Sequence, residues 1–292
     1  MQRKISVILS VDWEGRDLKE ENLKAMDAFR RDFPHIPLQH FLNAAYYTKK
    51  NVDVHDACLK IKSVLREGDE HGLHIHSWQS LFLAAGVAPK KSPTLFLKDT
   101  KPKIYDGDWG HEVCLDAYNV DELRKVIRFS CMILEEHGFK RPKSFRAGAW
   151  LAAHHVFQAL YEEGFERDCS AAYVLPLKKR WGDFYLYKRA LSLWSGINEL
   201  SQPYSYQISK EKTMLEIPNN GCLADYVTSS DMLKIFLKNV YLMKEQGGDR
   251  VVSFGFHQET AAKFISRLSE LIPLMKDAAS KHEVALDFCL PA

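Results

Sequence analysis

The sequence predicts an α/β domain built on a parallel sheet, a (β/α) barrel, and three observations predict it. Short apolar runs such as Ile5–Val11 and Val251–Phe256 have the unbroken character of strands buried on both faces. Seven or eight such runs alternate with segments of helical periodicity, the pattern of β–α units around one sheet. The runs that carry chemistry-bearing side chains carry them at their C-terminal ends, where α/β folds place their active sites.

The elements follow in order. Ile5–Val11 leads into Asp12 and Glu14. Leu23, Met26 and Phe29 are spaced for a helix over Glu20–Phe33, which stops before Pro34. Leu38–Ala44 is the second strand. Asp53 caps a helix running to Arg66, with Ala57, Ile61, Val64 and Leu65 on its inner face. His71–Ser77 is the third strand. Residues 86–112 hold three prolines and five lysines and read as a long loop, of the kind that is often functional. A helix over Asp121–His137 ends at Gly138. Ser144–Trp150 is the fourth strand, followed by a helix over His154–Glu163, and Phe165–Val174 is the fifth. Residues 175–212 are irregular and aromatic, and are expected to form short strands or an excursion over the barrel mouth. Met214–Ile217 is a strand, Ser230–Glu245 a helix, and Val251–Phe256 a strand ending at His257. A helix over Thr260–His282, interrupted near Pro273, and a closing segment Ala285–Leu290 complete the chain. No repeat, low-complexity tract or boundary divides the 292 residues, so residues 1–292 are expected to form one domain.

Composition narrows the function. A net charge of +2 implies no pull toward nucleic acid or acidic membranes, and there is no phosphate loop, dinucleotide glycine motif or nucleic-acid module. The six cysteines form no C-x-x-C pair and read as free thiols. No stretch approaches the ~20 apolar residues of a membrane span. The N-terminal apolar run is short and broken by Asp12, unlike a signal peptide, so a soluble, cytoplasmic protein is expected.

His74 and His76 flank one apolar residue, so both imidazoles lie on one side of a strand end, and neutral imidazole is the commonest protein ligand for zinc. Asp12 and Glu14 repeat the spacing with carboxylates. His257 ends another strand, and Arg146 lies within or near the end of a further one. On a barrel these ends converge. A bound divalent metal would polarise a carbonyl, a carboxylate would take a proton from water, an imidazole would return one to the leaving group, and an arginine would hold the base ionised. The loop segment Asp106–Glu112 adds His111 as a further candidate. Trp78, Trp109, Trp150 and Tyr226 are candidates for an aromatic floor under a sugar ring, and Asn219 and Asn220 for hydrogen bonds to its hydroxyls.

With these residues in view, the chain resembles the polysaccharide deacetylase (NodB-homology) family, carbohydrate esterase family four. Ser10-Val11-Asp12-Trp13-Glu14-Gly15 is similar to the family's first motif, Arg146-Ala147-Gly148-Ala149-Trp150 to the third, Asp168-Cys169-Ser170 weakly to the fourth, and Phe254-Gly255-Phe256-His257 to the last. The resemblance implies a distorted (β/α) barrel of seven or eight strands. It also implies one divalent ion, zinc before cobalt or manganese, and an N-acetylated (or O-acetylated) sugar or glycan substrate. It makes Asp12 the catalytic base, Arg146 its support and His257 the general acid. Glu14 and His74 become metal ligands, with His76 or His111 as the remaining one. Two departures stand out. The family's acids are adjacent, whereas Trp13 separates these. Its second motif is H-x-x-x-H, and the fourth position after His74 is Trp78. That divergence also fits a catalytically inactive barrel that binds glycan. The H-x-H pair is found in amidohydrolase-type barrels too, though usually near the first strand rather than the third. The lack of an export signal favours a nucleotide-sugar or lipid-linked precursor over a finished polymer.

Overall fold

Strand β1 (Lys4–Asp12) is the axis of the sheet. It pairs in parallel with β10 (Arg250–His257) along almost its whole length, from Ile5 opposite Arg250 to Asp12 opposite His257. On its other edge it meets β11 (Ala285–Phe288) at the N-terminal end and β2 (Gln39–Leu42) at the C-terminal end. This computed structural model describes residues 3–96 and 102–291, so part of the long loop expected at 86–112, residues 97–101, lies outside the described residues. Beyond β2 come β3 (Glu70–Ile75), β6 (Ser144–Ala147), β7 (Arg167–Asp168), β9 (Thr213–Glu216) and β8 (Tyr204–Gln207), in that spatial order. A small hairpin of β4 (Ile104–Tyr105) and β5 (Asp108–Trp109) lies apart.

The sheet is mixed rather than wholly parallel, because β8 runs antiparallel to β9. Nor do the strand ladders alone complete the expected barrel of seven or eight strands: β9 and β10 do not pair as strands. The chain after β9 spans the gap instead. Gly221 N–H donates to Ser253 O (2.9 Å) and Ala224 N–H to Gly255 O (2.7 Å). Asn220 fills the same seam, its amide bonded to Ser201 O and Val251 O and its oxygen accepting from Ser253 N–H.

Alternation along β1 sorts side chains to two faces. Val7, Leu9, Val11 and Trp13 join the main core under the helices. Ile8 instead touches Phe41, Cys169 and Ile217, from the β2 and β7–β9 parts of the sheet, so the sheet curls around an inner face. Ser10, Asp12 and, just past the strand, Glu14 follow the same parity.

The helices cover the outer face: α1 (Glu20–Asp32), α2 (Val54–Val64), α3 (Gln79–Ala84), α4 (Val120–Glu136), α5 (His154–Glu162), α8 (Ser229–Gln246), α9 (Ala261–Phe264) and α10 (Ser266–Lys281). Asp53, Asn119 and Thr228 cap α2, α4 and α8 through their side chains. The break expected near Pro273 falls at Ile265. Pro273 sits inside α10, whose buried Leu268, Leu271, Ile272 and Met275 supply packing that outweighs one missing backbone donor. The fifth strand, expected over Phe165–Val174, shrinks to Arg167–Asp168, because Ser170 N–H and Ala171 N–H turn to the carboxylates of Asp168 and Glu216. Within 175–212 lie two helices, α6 (Lys178–Trp181) and α7 (Tyr185–Leu193), followed by β8. Among the described residues no helix is long and apolar enough to cross a membrane, and all six cysteines are free thiols.

Candidate metal centre

The inserted Trp13 explains how Asp12 and Glu14 reach one side. Its indole points outward and donates from Nε1 to His40 Nδ1 (3.2 Å); His40 Nε2 faces Asp69 Oδ2 (3.3 Å), and Asp69 pairs with Arg30 (2.8 Å). Burial pushes the His40 pKa down against the pull of Asp69, leaving a neutral ring that accepts on Nδ1. With Trp13 anchored outside, its two acidic neighbours face in.

Glu14 is the centre of the site. Its Oε2 lies 2.8 Å from His76 Nε2 and 2.7 Å from His111 Nε2, and its Oε1 lies 3.3 Å from His74 Nε2 and 3.6 Å from His257 Nε2. Two of these rings are set by backbone carbonyls behind them. His74 Nδ1 lies 2.8 Å from Arg146 O and His76 Nδ1 2.6 Å from His111 O, which makes Nδ1 the protonated nitrogen and leaves Nε2 bare toward Glu14. Space for His76 depends on Gly148, where a Cβ would lie 2.7 Å from the imidazole. Gly110, at φ +104°, lets the loop bearing His111 approach the Ser77 carbonyl, which a Cβ would overlap at 2.1 Å. His111 then stacks on His76 with ring centroids 4.0 Å apart.

The backbone of Glu14 is held as firmly as its side chain. Trp78 Nε1 donates to Glu14 O (2.8 Å), and Glu14 N–H donates to Glu259 Oε2 (3.2 Å). Burial and the nearby Glu14 charge push the Glu259 carboxyl up to about 7.

This donor set suits a cation. Bare Nε2 lone pairs aimed at a carboxylate repel it unless a proton or a metal ion lies between, and His74 Nε2 and His76 Nε2 are buried without a hydrogen-bond partner. The ligand atoms of Glu14, His76 and His111 all lie within 4.8 Å of one another. Burial raises the Glu14 pKa, but the charge of His76, the bond to His111 and the charge of His257 overcome it and hold Glu14 ionised. Burial pushes the His76 pKa down, but the charge of Glu14, the bond to Glu14 and the His111 carbonyl together raise it, while burial and the His76 charge push His111 down to about 4. Imidazole and carboxylate donors are a set that holds divalent metal ions.

Two polar pairs flank the centre. Asp12 accepts from Arg146 Nη1 (2.7 Å), which also reaches Ser10 Oγ (2.8 Å), while Arg146 Nε donates to Cys169 O (3.0 Å). His257, opposite Asp12 in the β1–β10 register, directs Nδ1 to Asp225 Oδ1 (3.1 Å). Burial opposes its charge, but Asp225, Glu14 and Asp12 raise the His257 pKa to about 10. Asp225 is fixed in turn by Thr260 Oγ1–H and His257 N–H.

The candidate residues divide on placement. Asp12, Glu14, His74, His76, His111 and His257 border one cavity of ≈110 Å³. Trp150 and Tyr226 border it too, Trp150 through left-handed backbone at Ala149 (φ +55°) and Trp150 (φ +58°), strain of about 1–3 kcal/mol per residue. Arg146 lies behind Asp12. The other aromatic and amide candidates do not border that cavity. Trp78 is fully buried behind Glu14, Trp109 sits 5.8 Å from the Lys91 ammonium, and the Asn220 amide is used in the sheet seam. Asn219 is buried, its amide 3.4 Å from Ser253 O. Asp225 and Glu259 did not emerge from the sequence; Asp225 stands beside Tyr226 in what reads as a turn before a capped helix.

No protein-family model matches this sequence, and no curated protein matches it. Solved structures share the fold. A Mycobacterium smegmatis protein described as a "putative polysaccharide deacetylase" superposes with a TM-score of 0.57 at 14% identity, covering 98% of this chain and 88% of its own. A probable polysaccharide deacetylase from Pseudomonas aeruginosa PAO1 gives 0.55 at 13%, covering 96% and 87%, and the Puue allantoinase gives 0.54 at 13%, covering 97% and 86%. At these identities the likeness establishes the fold.

Proposed function

We propose that the protein is a metal-dependent hydrolase that removes an acetyl group from an N-acetylated (or O-acetylated) sugar or glycan precursor. The observation that carries this reading is the convergence of three imidazole nitrogens on the ionised Glu14, beside a second carboxylate held by an arginine. Glu14, His76 and His111 would hold one divalent ion, zinc by donor type, with His74 on the Oε1 side. When bound, such an ion supplies Lewis acidity to the scissile carbonyl and acidity to a water.

The protein's own groups supply the proton transfers. Asp12, oriented by Arg146, takes a proton from the attacking water. His257 sits across the β1–β10 ladder from Asp12, so base and acid flank the same space. The Asp225–His257 pair keeps the imidazole charged at neutral pH, ready to protonate the departing amine; a cation on Glu14 would lower the pKa from about 10 toward the working range. Trp150 and Tyr226 shape the wall that the acyl group would meet.

The test is elemental analysis on protein purified without a histidine tag, with acetate release as the activity readout. About one zinc per chain is expected, unchanged in Asp12→Asn, while that variant loses ~10²–10⁴-fold in kcat. Full activity in a metal-loaded Asp12→Asn protein would remove Asp12 from its role. Absence of metal after reconstitution would remove the hydrolase reading.

A further inference from the structure

Two chambers meet at the candidate metal centre. The inner one, of ≈110 Å³, has Asp12 and the imidazoles on one wall and Leu95, Phe96, Trp150, Trp181 and Leu186 on the other. The outer one, of ≈190 Å³, shares Glu14, His257 and Trp181 with it and adds Arg16, Tyr105 and Arg180. Each lies below the ~300 Å³ at which pockets for drug-sized ligands begin.

A roof keeps them narrow. The loop ahead of β4 and the start of α7 are joined by backbone bonds, Leu186 N–H to Leu95 O (2.6 Å) and Tyr185 N–H to Phe96 O (3.3 Å). The rings of Phe96, Trp181 and Phe184 contact one another with centroids 5.7–5.8 Å apart. The internal residue of a polymer needs a cleft open at both ends, and this roof crosses the mouth.

Charge singles out the outer chamber. Its acids are already engaged: Asp225 by His257 and Thr260, Glu259 by Tyr46 and the Glu14 and Arg16 amides, Glu14 by the imidazoles. Its guanidiniums are held far more loosely. Arg180 lies over Trp181 (4.8 Å) and Tyr226 (5.6 Å), with no carboxylate in ion-pair range among the described residues. Arg16 lies over Tyr105 (5.4 Å) and has one loose partner, Asp17 at 3.6 Å. A guanidinium stacked on a ring keeps its N–H edge free to bind two oxygens of an anion.

Building on the hydrolase reading, we infer that the substrate is a compact, single-unit amide carrying an anionic group. The acyl end enters the inner chamber, and Arg16 and Arg180 bind the anion in the outer one. A phosphate and a carboxylate share this chemistry.

The experiment is calorimetric binding to zinc-reconstituted Asp12→Asn protein, with four probes: N-acetylglucosamine 6-phosphate, N-acetylalanine, neutral N-acetylglucosamine and its linear hexamer. At least one anionic probe should bind about 10-fold or more tightly than either neutral one, and the arm that does so identifies the anion. Arg180→Gln in that background should weaken the anionic probe about 10-fold and leave the neutral monosaccharide unchanged. Tighter binding of the hexamer, indifference to Arg180→Gln, or no saturable binding of either anion at millimolar concentration would overturn the inference. Acetate release by the unaltered enzyme separates it from the premise. Release from the hexamer alone would uphold the hydrolase and sink the inference. Selective anion binding with no release from any probe would uphold the anion site at Arg16 and Arg180 and sink the hydrolase reading.

Discussion

Two groups of buried carboxyls share the inner face of the sheet, and they are in opposite states. Glu14, at the mouth, is ringed by four imidazoles and stays ionised. Asp168 and Glu216, deeper and fully buried, are cross-strand partners on β7 and β9. Burial and the neighbouring Asp168 charge raise the Glu216 carboxyl well above its ordinary value, so the pair shares one proton. Asp168 keeps bonds from Ser170 N–H and Ser170 Oγ–H (both 2.9 Å), and Arg146 is the cation that faces the pair. Burial is common to both places. What differs is the supply of positive charge, and that decides which acid invites a metal ion and which retains a proton.

Amide substitution at each place breaks the comparison most directly. Glu14→Gln removes the one anion among four imidazoles, and zinc affinity should fall by more than ~100-fold in a competition titration with a chelating dye. Glu216→Gln should leave zinc affinity unchanged, because its amide replaces a carboxyl that is already neutral. Equal losses in the two variants would mean that the deep pair belongs to the metal centre.

The two places also differ in how far the sequence revealed them. Asp12, Glu14, His74 and His76 were legible because period-two alternation puts each pair on one side of a strand end. His111 was legible only as an alternative: its position depends on Gly110 bringing a loop against Ser77, which no periodicity announces. The Asp168–Glu216 pair was not legible, since it requires knowing which strands pair across 48 residues of chain. Asp225 is not legible because it sits in a turn and meets His257 across 32 residues of chain, and the sequence offers Trp78 for a sugar floor because an aromatic side chain does not declare which end of it matters. For residues 175–212 the sequence offers short strands or an excursion over the mouth, and β8 is such a strand, but the helices α6 and α7 are not legible because their aromatic residues obscure the helical period.

The pH dependence of stability sharpens the contrast. A carboxyl whose folded pKa is raised above its unfolded value of ~4.3 contributes stability that is full below that value and fades as pH rises through the folded one. Glu216 is such a group. The amide of Glu216→Gln cannot ionise, so the variant should begin about 1 kcal/mol less stable at pH 5, from imperfect hydrogen bonding, and close that gap by pH 9. Urea midpoints across that range read the difference. A gap that stays constant with pH would show that Glu216 ionises as freely in the fold as in the unfolded chain.

The smallest expected effect concerns Trp78, which holds the mouth in place through the backbone of Glu14. Trp78→Phe keeps a ring under the Lys49 ammonium, now 4.0 Å away, but deletes the donor to Glu14 O. The cost should be about 1–3 kcal/mol in unfolding free energy, with zinc affinity falling less than ~10-fold, far short of Glu14→Gln. Trp78→His adds a sharper point, because it restores the H-x-x-x-H spacing that this chain lacks. The side chain at 78 faces the backbone of Glu14, not its carboxylate, and His76 and His111 already crowd Oε2. The new imidazole should therefore add no ligand, and zinc should bind no more tightly than to the unaltered protein. A rise in affinity would mean that position 78 can swing into the metal centre and that the ring around Glu14 is less fully set by its carbonyl anchors than the distances imply.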